Sequence, residues 1–514
     1  MANFKDSTNE QGMFIAVVFE EQIIPGTIEY AIYDIVENYI DMSSLDQRYI
    51  NDKTGRKAYP PKTLIKIILF AYSKGIYSSR KIESACKNNV QFMAISGYAN
   101  PDHSTIAAFV SSMGDAILNI FSDILMRCAQ LDLIGGEVFA IDGCKISSNA
   151  SKEYSGTFAE LERKKEKLKA VIDNLTRRHC ENDKSTEDDL NKRKKKYEDK
   201  IKKIDDFLKN NEPKIGKRNR ELKSNITDND SGKIKSSNGY IQGYNGLAVV
   251  DEKTQIVVSA EAFGSGQEGQ YLDSMLEKTD NNLKGVSPDN GLKEKVVIAD
   301  TSYFSEENCE TLEKAKIDAY IPDQQFRNRD PRFPDKYPRR KKKNLFKKDD
   351  FIFNGKDNTC TCPAGNKLKF DGHHNNHGNI GRRYKADKND CYYCHLKSKC
   401  LQKNAKSRSF SITDIPKPKT YSEKMIEKID TLHGRDMYSR RMGIVEPVFA
   451  NITVHKGMDR FTLRGKSKVN VQWLLYCCVH NIGKIANIIL DYFYISFYAA
   501  KFPKELFGLK IIFQ

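Results

Sequence analysis

The chain has no uninterrupted hydrophobic run long enough for a membrane span. Its most apolar stretch, 485–500, is broken by Asn487, Asp491 and Ser496, and it is short for the about 20 apolar residues that a span requires. A buried amphipathic helix is the better prediction for this stretch. The first residues also lack the hydrophobic core of a signal peptide behind a basic start. We therefore expect a cytoplasmic protein without a membrane partner.

Cysteine is scarce and unevenly placed. The chain has 12 cysteines in 514 residues, and five of them fall between Cys360 and Cys400. This is not the pattern of a secreted disulfide framework, and clustering of this kind indicates metal binding before disulfides. The most suitable set for a structural zinc ion is Cys362, Cys391, Cys394 and Cys400, with Cys360 competing for a place. Unliganded reduced thiols and disulfides are the alternatives.

Acidic charge is outweighed by basic charge, so that the net charge is +16 and the pI is near 9.0. Lysine and arginine gain affinity for polyanions by releasing counterions from phosphates, which favours a nucleic-acid partner. Plain solubility is the alternative. The length predicts two to four domains with ample room for a buried core.

Residues 1–135 are predicted to form a helical N-terminal domain. Two prolines precede the apolar segment 63–72 and Gly75 follows it, as at the start and end of a helix. Another helix is predicted over 106–131. Short helices joined by tight polar turns suit a helix-turn-helix that lies in a DNA groove, with a plain helical bundle as the alternative.

Residues 136–325 are predicted to form the first part of an α/β core with a mixed sheet. Strand-like segments, a hairpin over 239–264 and a short strand at 318–321 alternate with helical segments. A charged insertion, about 152–210, interrupts this core. Its apolar residues recur every seven positions in two series, which predicts an antiparallel helical hairpin. The series are Leu161, Leu168 and Leu175, then Leu190, Tyr197 and Ile204.

Residues 326–420 are predicted to form a second insertion that is basic and rich in cysteine. Its first part, 327–348, combines basic residues with aromatic ones and with prolines that favour an extended loop. Such a loop can hold phosphates and stack on unpaired bases, and a basic linker is the alternative. Residues 421–514 are predicted to complete the core with helices.

Three carboxylates stand out. Asp142 is predicted to close the strand 137–141 and Asp300 to close the strand 296–299, while Glu446 follows two arginines. An acidic side chain at the end of a rigid strand is well placed for chemistry. If the three meet, their hard oxygen ligands would select Mg²⁺ or Mn²⁺. Two such ions about 4 Å apart can activate the attacking oxygen and stabilise the leaving oxygen of a phosphoryl displacement.

The segments around these carboxylates, 140–146, 298–308 and 445–452, resemble the DDE transposases of bacterial insertion sequences. The likeness covers nearly the whole chain and is closest to a subgroup with a helical insertion and a cysteine-containing segment. It implies an RNase H-like core and a metal-binding triad of Asp142, Asp300 and Glu446. It also implies binding of double-stranded DNA at element ends and target, metal-dependent cleavage and strand transfer, and a homodimer or larger assembly on the nucleoid.

The resemblance further implies DNA contacts by Arg440, Arg441 and Lys456. In many relatives a tyrosine, an arginine and a lysine surround the glutamate at set spacing. Here Arg441 and Lys456 both lie farther from Glu446 than that pattern expects. Pro447 disfavours a helical conformation at the residue before it, so we expect Glu446 at a helix start or kink.

A glycine-rich segment, 264–269, matches the dinucleotide-binding pattern G-x-G-x-x-G. The next strand-end acid, Asp300, lies about ten residues beyond the usual spacing. A loop beside a DNA channel is the better interpretation, and a nucleotide-dependent enzyme is an alternative. The other alternative is a catalytically inactive DNA-binding protein on the same scaffold.

Overall fold

A computed structural model describes residues 17–49, 57–181, 187–216, 219–236, 239–289, 291–333, 345–355, 357–376, 379–402, 404–415 and 418–501. The chain divides into two compact units. The first unit combines Met1–Pro322 with Leu432–Gln514, and the second unit is Asp323–Thr431. The predicted basic and cysteine-rich insertion, 326–420, falls inside the second unit.

The N-terminal part of the first unit is helical in its described residues. The predicted helix over 63–72 is confirmed as α3, and Gly75 after it has a φ of +71°. The single helix predicted over 106–131 is wrong, because two helices meet there at a bend of 82°. Gly114, with a φ of +51°, lies in the break between them. The helices are α1 (Ile28–Asn38), α2 (Ser43–Asp46), α3 (Pro61–Ser73), α4 (Ser79–Asn88), α5 (Val90–Ser96), α6 (His103–Ser112) and α7 (Ala116–Gln130).

The core of the first unit is a mixed sheet, as predicted. Its strand order is β4-β5-β1-β7-β8, and β6 also pairs with β5. Strand β5 is antiparallel to β1, β4 and β6, whereas β1, β7 and β8 run parallel. The strands are β1 (Val138–Ser147), β2 (Ser155–Gly156), β3 (Ser224–Asn225), β4 (Gly232–Ser236), β5 (Gly239–Asp251), β6 (Val257–Phe263), β7 (Val296–Ala299) and β8 (Asp318–Tyr320); β2 and β3 form a separate pair.

The charged insertion forms the predicted helical hairpin, α8 (Phe158–Glu181) and α9 (Glu187–Asn210). Lys165 near the start of α8 pairs with Asp205 near the end of α9 at 2.8 Å, so the two helices are antiparallel. Leu161 and Ile204 of the predicted series are buried together with Phe207. Two further helices pack around the sheet, α10 (Leu272–Val286) and α11 (Glu306–Lys314).

The second unit contains a five-stranded antiparallel sheet that was not predicted. Its strand order is β13-β12-β11-β10-β9. Its buried core includes Cys360, Leu368 and Tyr384. Of the predicted basic loop, 334–344 lies outside the described residues. The elements are α12 (Phe326–Arg329), β9 (Ile352–Asn354), β10 (Thr359–Thr361), β11 (Lys367–Asn376), β12 (Asn379–Lys385), α13 (Lys388–Tyr392), α14 (Lys397–Cys400), β13 (Ser409–Ile415) and α15 (Tyr421–Ile429).

Two C-terminal helices complete the first unit, α16 (Leu432–Ala450) and α17 (Lys466–Lys501). Trp473 of α17 is fully buried and donates to the carbonyl of Leu247 in β5 at 3.1 Å. The segment Lys466–Leu490 is long and apolar enough to span a membrane, and α6 with α7 passes the same test only as one broken span. Because 67% of the apolar window of α17 is buried in the protein, the helix has the character of a core helix. Beyond Leu490 the side chains of the predicted amphipathic stretch lie outside the description.

Candidate active site

Asp142 and Asp300 lie side by side on neighbouring parallel strands. Ile141 of β1 pairs with Ala299 of β7, and the two aspartates follow these residues directly. The prediction that Asp142 closes its strand is wrong, because β1 continues to Ser147. The continuation is stabilised by β5, which pairs with β1 through that residue, whereas β7 has already ended. Asp142 therefore marks the end of the parallel pairing only, and this edge brings the two carboxylates together.

Arg441 reaches this edge from α16 and forms an ion pair with Asp142. The Asp142 side chain is 18% exposed and the Arg441 side chain 13% exposed, so both charges are largely removed from water. The Arg441 guanidinium also lies over the ring of Tyr438, 6.0 Å from its centroid. Arg441, which was predicted to contact DNA phosphate, thus neutralises the charge of the catalytic candidate Asp142.

The pKa values of the pair reflect this environment. Burial raises the pKa of Asp142 and the charge of Asp300 adds to the rise, while Arg441 and the backbone N–H of Gly143 oppose it. Burial by itself would lower the pKa of Arg441, but the charges of Asp142 and Asp300 outweigh it and the pKa is raised. The two aspartates therefore repel each other, and positive charge stabilises their ionised forms.

A third carboxylate near this edge was missed by the sequence reasoning. Glu268 is 6% exposed and accepts hydrogen bonds from Asn245 at 2.9 Å and Ser302 at 2.8 Å. Burial raises its pKa, and the charge of Asp142 contributes to the rise. Glu268 lies in the segment 264–269, whose match to the dinucleotide-binding pattern rests on its glycines alone.

The hydroxyl of Tyr303 is a buried polar atom without a hydrogen-bond partner among the described residues. Tyr303 follows Asp300 by three positions and is fully buried. Burial raises its pKa, and the charges of Glu268, Asp142 and Asp300 raise it further. The field of all three carboxylates therefore acts on one unpaired hydroxyl.

Glu446 does not join the two aspartates in this structure. It lies on α16 and is exposed, whereas Ile444, Val445 and Val448 of the same helix are buried. It lies five positions after Arg441, which is about 7.5 Å along the helix axis and on a different face of the helix. The structure therefore places Asp142 beside Asp300, and the metal-binding role of all three carboxylates stays a prediction.

The expectation that Glu446 begins a helix with Pro447 in its first turn is wrong, whereas the alternative of a kink at Glu446 stays a prediction. Pro447 lies in the last two turns of α16 and provides no backbone N–H for the carbonyl of Gly443. Instead, the side-chain amide of Gln255 donates to that carbonyl at 2.9 Å. The helix tolerates its proline because a distant residue supplies the missing donor.

The other predicted DNA-binding residues lie apart from the aspartates. Arg440 is exposed and pairs with Asp436 at 3.2 Å and with Glu252 at 3.6 Å. Lys456 follows a π-helical turn, Asn451–His455, and lines a cavity at the far end of α16. Neither contacts the Asp142–Asp300 edge.

The predicted zinc cysteines come together in the second unit. Cys362, Cys391, Cys394 and Cys400 line one small cavity of about 20 Å³. Burial raises the pKa of the Cys400 thiol, and the other three cysteines add to the rise. Cys360 is instead buried in the sheet core, and the eleven cysteines whose side chains the structure describes are free rather than disulfide-bonded.

The glycines of the segment 264–269 serve close packing of the chain. A side chain at Gly264 would lie 1.7 Å from the carbonyl oxygen of Asp230, and one at Gly269 would lie 2.5 Å from that of Ser302. Strand β6 before the segment is antiparallel to β5, whereas a dinucleotide-binding unit needs parallel strands. The structure thus disfavours the dinucleotide interpretation.

The donor chemistry of the edge suits a hard divalent cation. Mg²⁺ keeps several waters and commonly binds one or two protein carboxylates together with substrate phosphates, and Asp142 and Asp300 are such a pair. Within the described ranges, no group of three or more His, Cys, Asp or Glu side chains is spaced to hold a metal ion. Among these described residues, neither a complete carboxylate triad nor a closed zinc site is therefore assembled.

Comparison with known families gives two matches. A model of a transposase DDE domain matches residues 361–486, and a model of a transposase domain known as DUF772 matches residues 18–112. The first match includes Arg441 and Glu446, whereas Asp142 and Asp300 lie between the two matched ranges. No curated protein matches the chain. The two family matches identify the chain as an insertion-sequence DDE transposase.

Proposed function

We propose that the chain binds the ends of its mobile element and cuts and joins DNA phosphodiesters at the edge that carries Asp142 and Asp300. The observation that supports this most is the parallel register of β1 and β7, which sets the two carboxylates next to each other. The strand order β6-β5-β1-β7-β8, with β5 antiparallel to its neighbours, supports an RNase H-like core.

In this proposal Asp142 and Asp300 hold Mg²⁺ or Mn²⁺ at the edge, with Glu446 as the third carboxylate. The bound ions supply activation of the attacking oxygen and stabilisation of the leaving oxygen in an in-line displacement. Asp142 and Asp300 fix the position of the reaction, since each directly follows the last residue pair of the parallel β1–β7 pairing. Water attacks first at the element end, and the released 3′-hydroxyl then attacks target DNA.

Arg441 has a defined role in this scheme. Its guanidinium keeps the buried Asp142 ionised, which a carboxylate needs in order to act as a ligand. Arg441 also brings positive charge to the place where a phosphate must approach two carboxylates. We propose that it contacts the phosphate near the scissile bond while it orients Asp142.

The exposed position of Glu446 favours one competing function, binding of DNA without cleavage. Among the described residues the three carboxylates do not form a group that could hold a metal ion, so for Glu446 to act as a ligand they must come closer together when DNA binds. A binding-only protein would need no such change, and it would bind element ends while leaving them intact with Mg²⁺ present.

The test is an incubation with supercoiled DNA that carries the flanking sequences of the element, with Mg²⁺ and with EDTA. We expect Asp142→Asn and Asp300→Asn to abolish Mg²⁺-dependent cleavage and to keep binding to the element end. Asp273→Asn, at an exposed carboxylate in the first turn of α10, is the matched control and should cleave normally. Full cleavage by Asp142→Asn would contradict the proposal, and intact DNA with the unmodified chain would favour the binding-only function.

Two further parts of the proposal concern assembly. The four cysteines around the cavity of the second unit would hold a structural zinc ion in tetrahedral thiolate coordination. Their side chains must close in by small movements, because they are not spaced for an ion in this structure. The chain is also proposed to act as a homodimer or larger assembly, since two element ends must be processed together.

A further inference from the structure

A cavity of about 580 Å³ lies in the first unit near the C-terminal end of α16. Segments from α1, α3, the β5–β6 turn, the end of α16 and α17 surround it. Three lysines and two histidines line it, and no Asp or Glu is found among its described lining residues. The basic residues are Lys74, Lys456, Lys484, His455 and His480. A space of this size, with basic lining and no acidic lining, is suited to an anion.

Two of the lysines have neutral hydrogen-bond partners instead of carboxylates. The ammonium of Lys456 donates to the side-chain oxygen of Asn451, and that of Lys484 donates to the side-chain oxygen of Gln255 at 2.9 Å. Among the described residues no carboxylate lies within ion-pair distance of either lysine. Lys74 differs, because it pairs with Glu29 at 2.9 Å. An ammonium has three N–H donors, so Lys456 and Lys484 keep both charge and donors for a ligand.

The fold holds these two lysines in place through shared partners. Gln255 has a left-handed backbone with a φ of +64°, and its side chain bridges the carbonyl of Gly443 and the ammonium of Lys484. His480, 3% exposed, contacts the backbone oxygen of Gln255 at 2.9 Å and the side chain of Asn451 at 3.1 Å. His480 of α17 therefore links Gln255 to Asn451, the two residues that accept from the lysines.

The charges of Lys456 and Lys484 are not balanced by a carboxylate of the described residues. Burial lowers the pKa of Lys456 to about 8, and the charge of Lys484 contributes. Burial lowers the pKa of His480 to about 3, so this ring is neutral near pH 7 and adds no charge. Like charges brought together in a partly buried site cost free energy, which an anion between them recovers.

We propose that this cavity binds a phosphate group of the DNA backbone through Lys456 and Lys484, as a second DNA contact away from Asp142 and Asp300. The inference rests on the proposed function for the choice of DNA as the source of the phosphate. Asp251 pairs with Phe139, three positions before Asp142 on β1, and Gln255 follows in the next turn. Three residue steps along β1 make about 10 Å, and the cavity lies beyond Asp251. It is therefore at least about three nucleotides of one duplex strand away from Asp142.

The test measures the salt dependence of duplex binding in EDTA, where no cleavage interferes. A labelled duplex with the element end is titrated by fluorescence anisotropy at several KCl concentrations. We expect the pair Lys456→Gln with Lys484→Gln to lower the slope of log affinity against log salt by about one to two, with a loss of affinity of about tenfold or more. An unchanged slope in this variant overturns the proposal.

The matched control removes two charges that the protein already compensates. Lys284→Gln with Lys314→Gln neutralises two lysines that pair with Asp280 at 2.6 Å and Glu310 at 2.8 Å, and it should keep the slope. The conservative pair Lys456→Arg with Lys484→Arg should also keep it, which separates loss of charge from loss of fold. Loss of the slope in the arginine pair would contradict a charge-based site.

Two further measurements distinguish DNA from free phosphates as the ligand, and a failure of the cavity proposal from a failure of the proposed function. Thermal unfolding with inorganic phosphate and with ATP tests free phosphates. Stabilisation by these ligands that the glutamine pair loses, with unchanged DNA binding, overturns the DNA assignment. A lysine-dependent slope in a chain that never cleaves supports the cavity while the proposed function fails. Normal cleavage together with a salt slope that does not depend on the two lysines supports the proposed function and overturns the cavity proposal.

Discussion

Replacing Arg441 by methionine isolates the contact that best defines the candidate active site. Methionine keeps much of the apolar stem and removes the guanidinium that pairs with Asp142. With 18% of the Asp142 side chain exposed, the carboxylate would then be a largely buried charge without its partner. Removing one member of a buried ion pair costs about 3–5 kcal/mol. Because both side chains keep some exposure, we expect the lower end, about 3 kcal/mol of lost stability near pH 7.5.

The assay is unfolding in urea followed by tryptophan fluorescence. The chain has one tryptophan, Trp473, and it is fully buried in the first unit, so the signal reports the unit that contains the ion pair. Arg440→Met is the control. Its guanidinium is 45% exposed and contacts Asp436 at 3.2 Å, so its loss should change stability by no more than about 0.5 kcal/mol.

The pH dependence gives a second check on the same variant. The folded pKa of Asp142 is already raised, and loss of Arg441 raises it further. Between the unfolded and the folded pKa the folded chain binds more protons, so stability falls as pH rises through that window. The deficit of Arg441→Met should therefore be smaller near pH 4 than near pH 7.5. If the Arg441 and Arg440 variants have equal stability at every pH, the stabilising ion pair between Arg441 and Asp142 is refuted.

Three further predictions concern other parts of the chain. Gln255→Ala should lower the free energy of unfolding by about 1–3 kcal/mol, because it leaves the carbonyl of Gly443 without a donor. Adding Pro447→Ala should recover about 1 kcal/mol, because alanine restores a backbone N–H. If the effects of the two substitutions on stability are strictly additive in the same urea assay, this prediction is contradicted. Cys391→Ser should lower the zinc content of the purified chain from about one ion to almost none by metal analysis, whereas an unmodified chain free of zinc would contradict the site. Because the pKa of Lys456 is lowered to about 8, duplex affinity should fall as pH rises from 7 to 9 and stay flat in Lys456→Arg.

Local patterns predicted much of the fold. The seven-residue spacing of Leu161 and its successors predicted α8 and α9, because a helix buries one stripe of side chains. The alternation over 239–264 predicted the hairpin of β5 and β6. These elements follow from period and propensity, which each segment carries in itself. The sheet of the second unit was missed, since β9 and β10 have only three residues each and β11 and β12 are largely polar.

The sequence by itself determined that Asp142 and Asp300 each directly follow an apolar, strand-like segment and that the chain carries a large positive charge. Only the tertiary structure decided the partners of these groups. Asp142 and Arg441 are 299 positions apart, and Lys484 meets Gln255 across 229 positions. Such pairings depend on how helices pack on the sheet, and no local pattern encodes the face that α16 turns inward. For the same reason the exposure of Glu446 and the lysine-lined cavity became visible only in the folded chain.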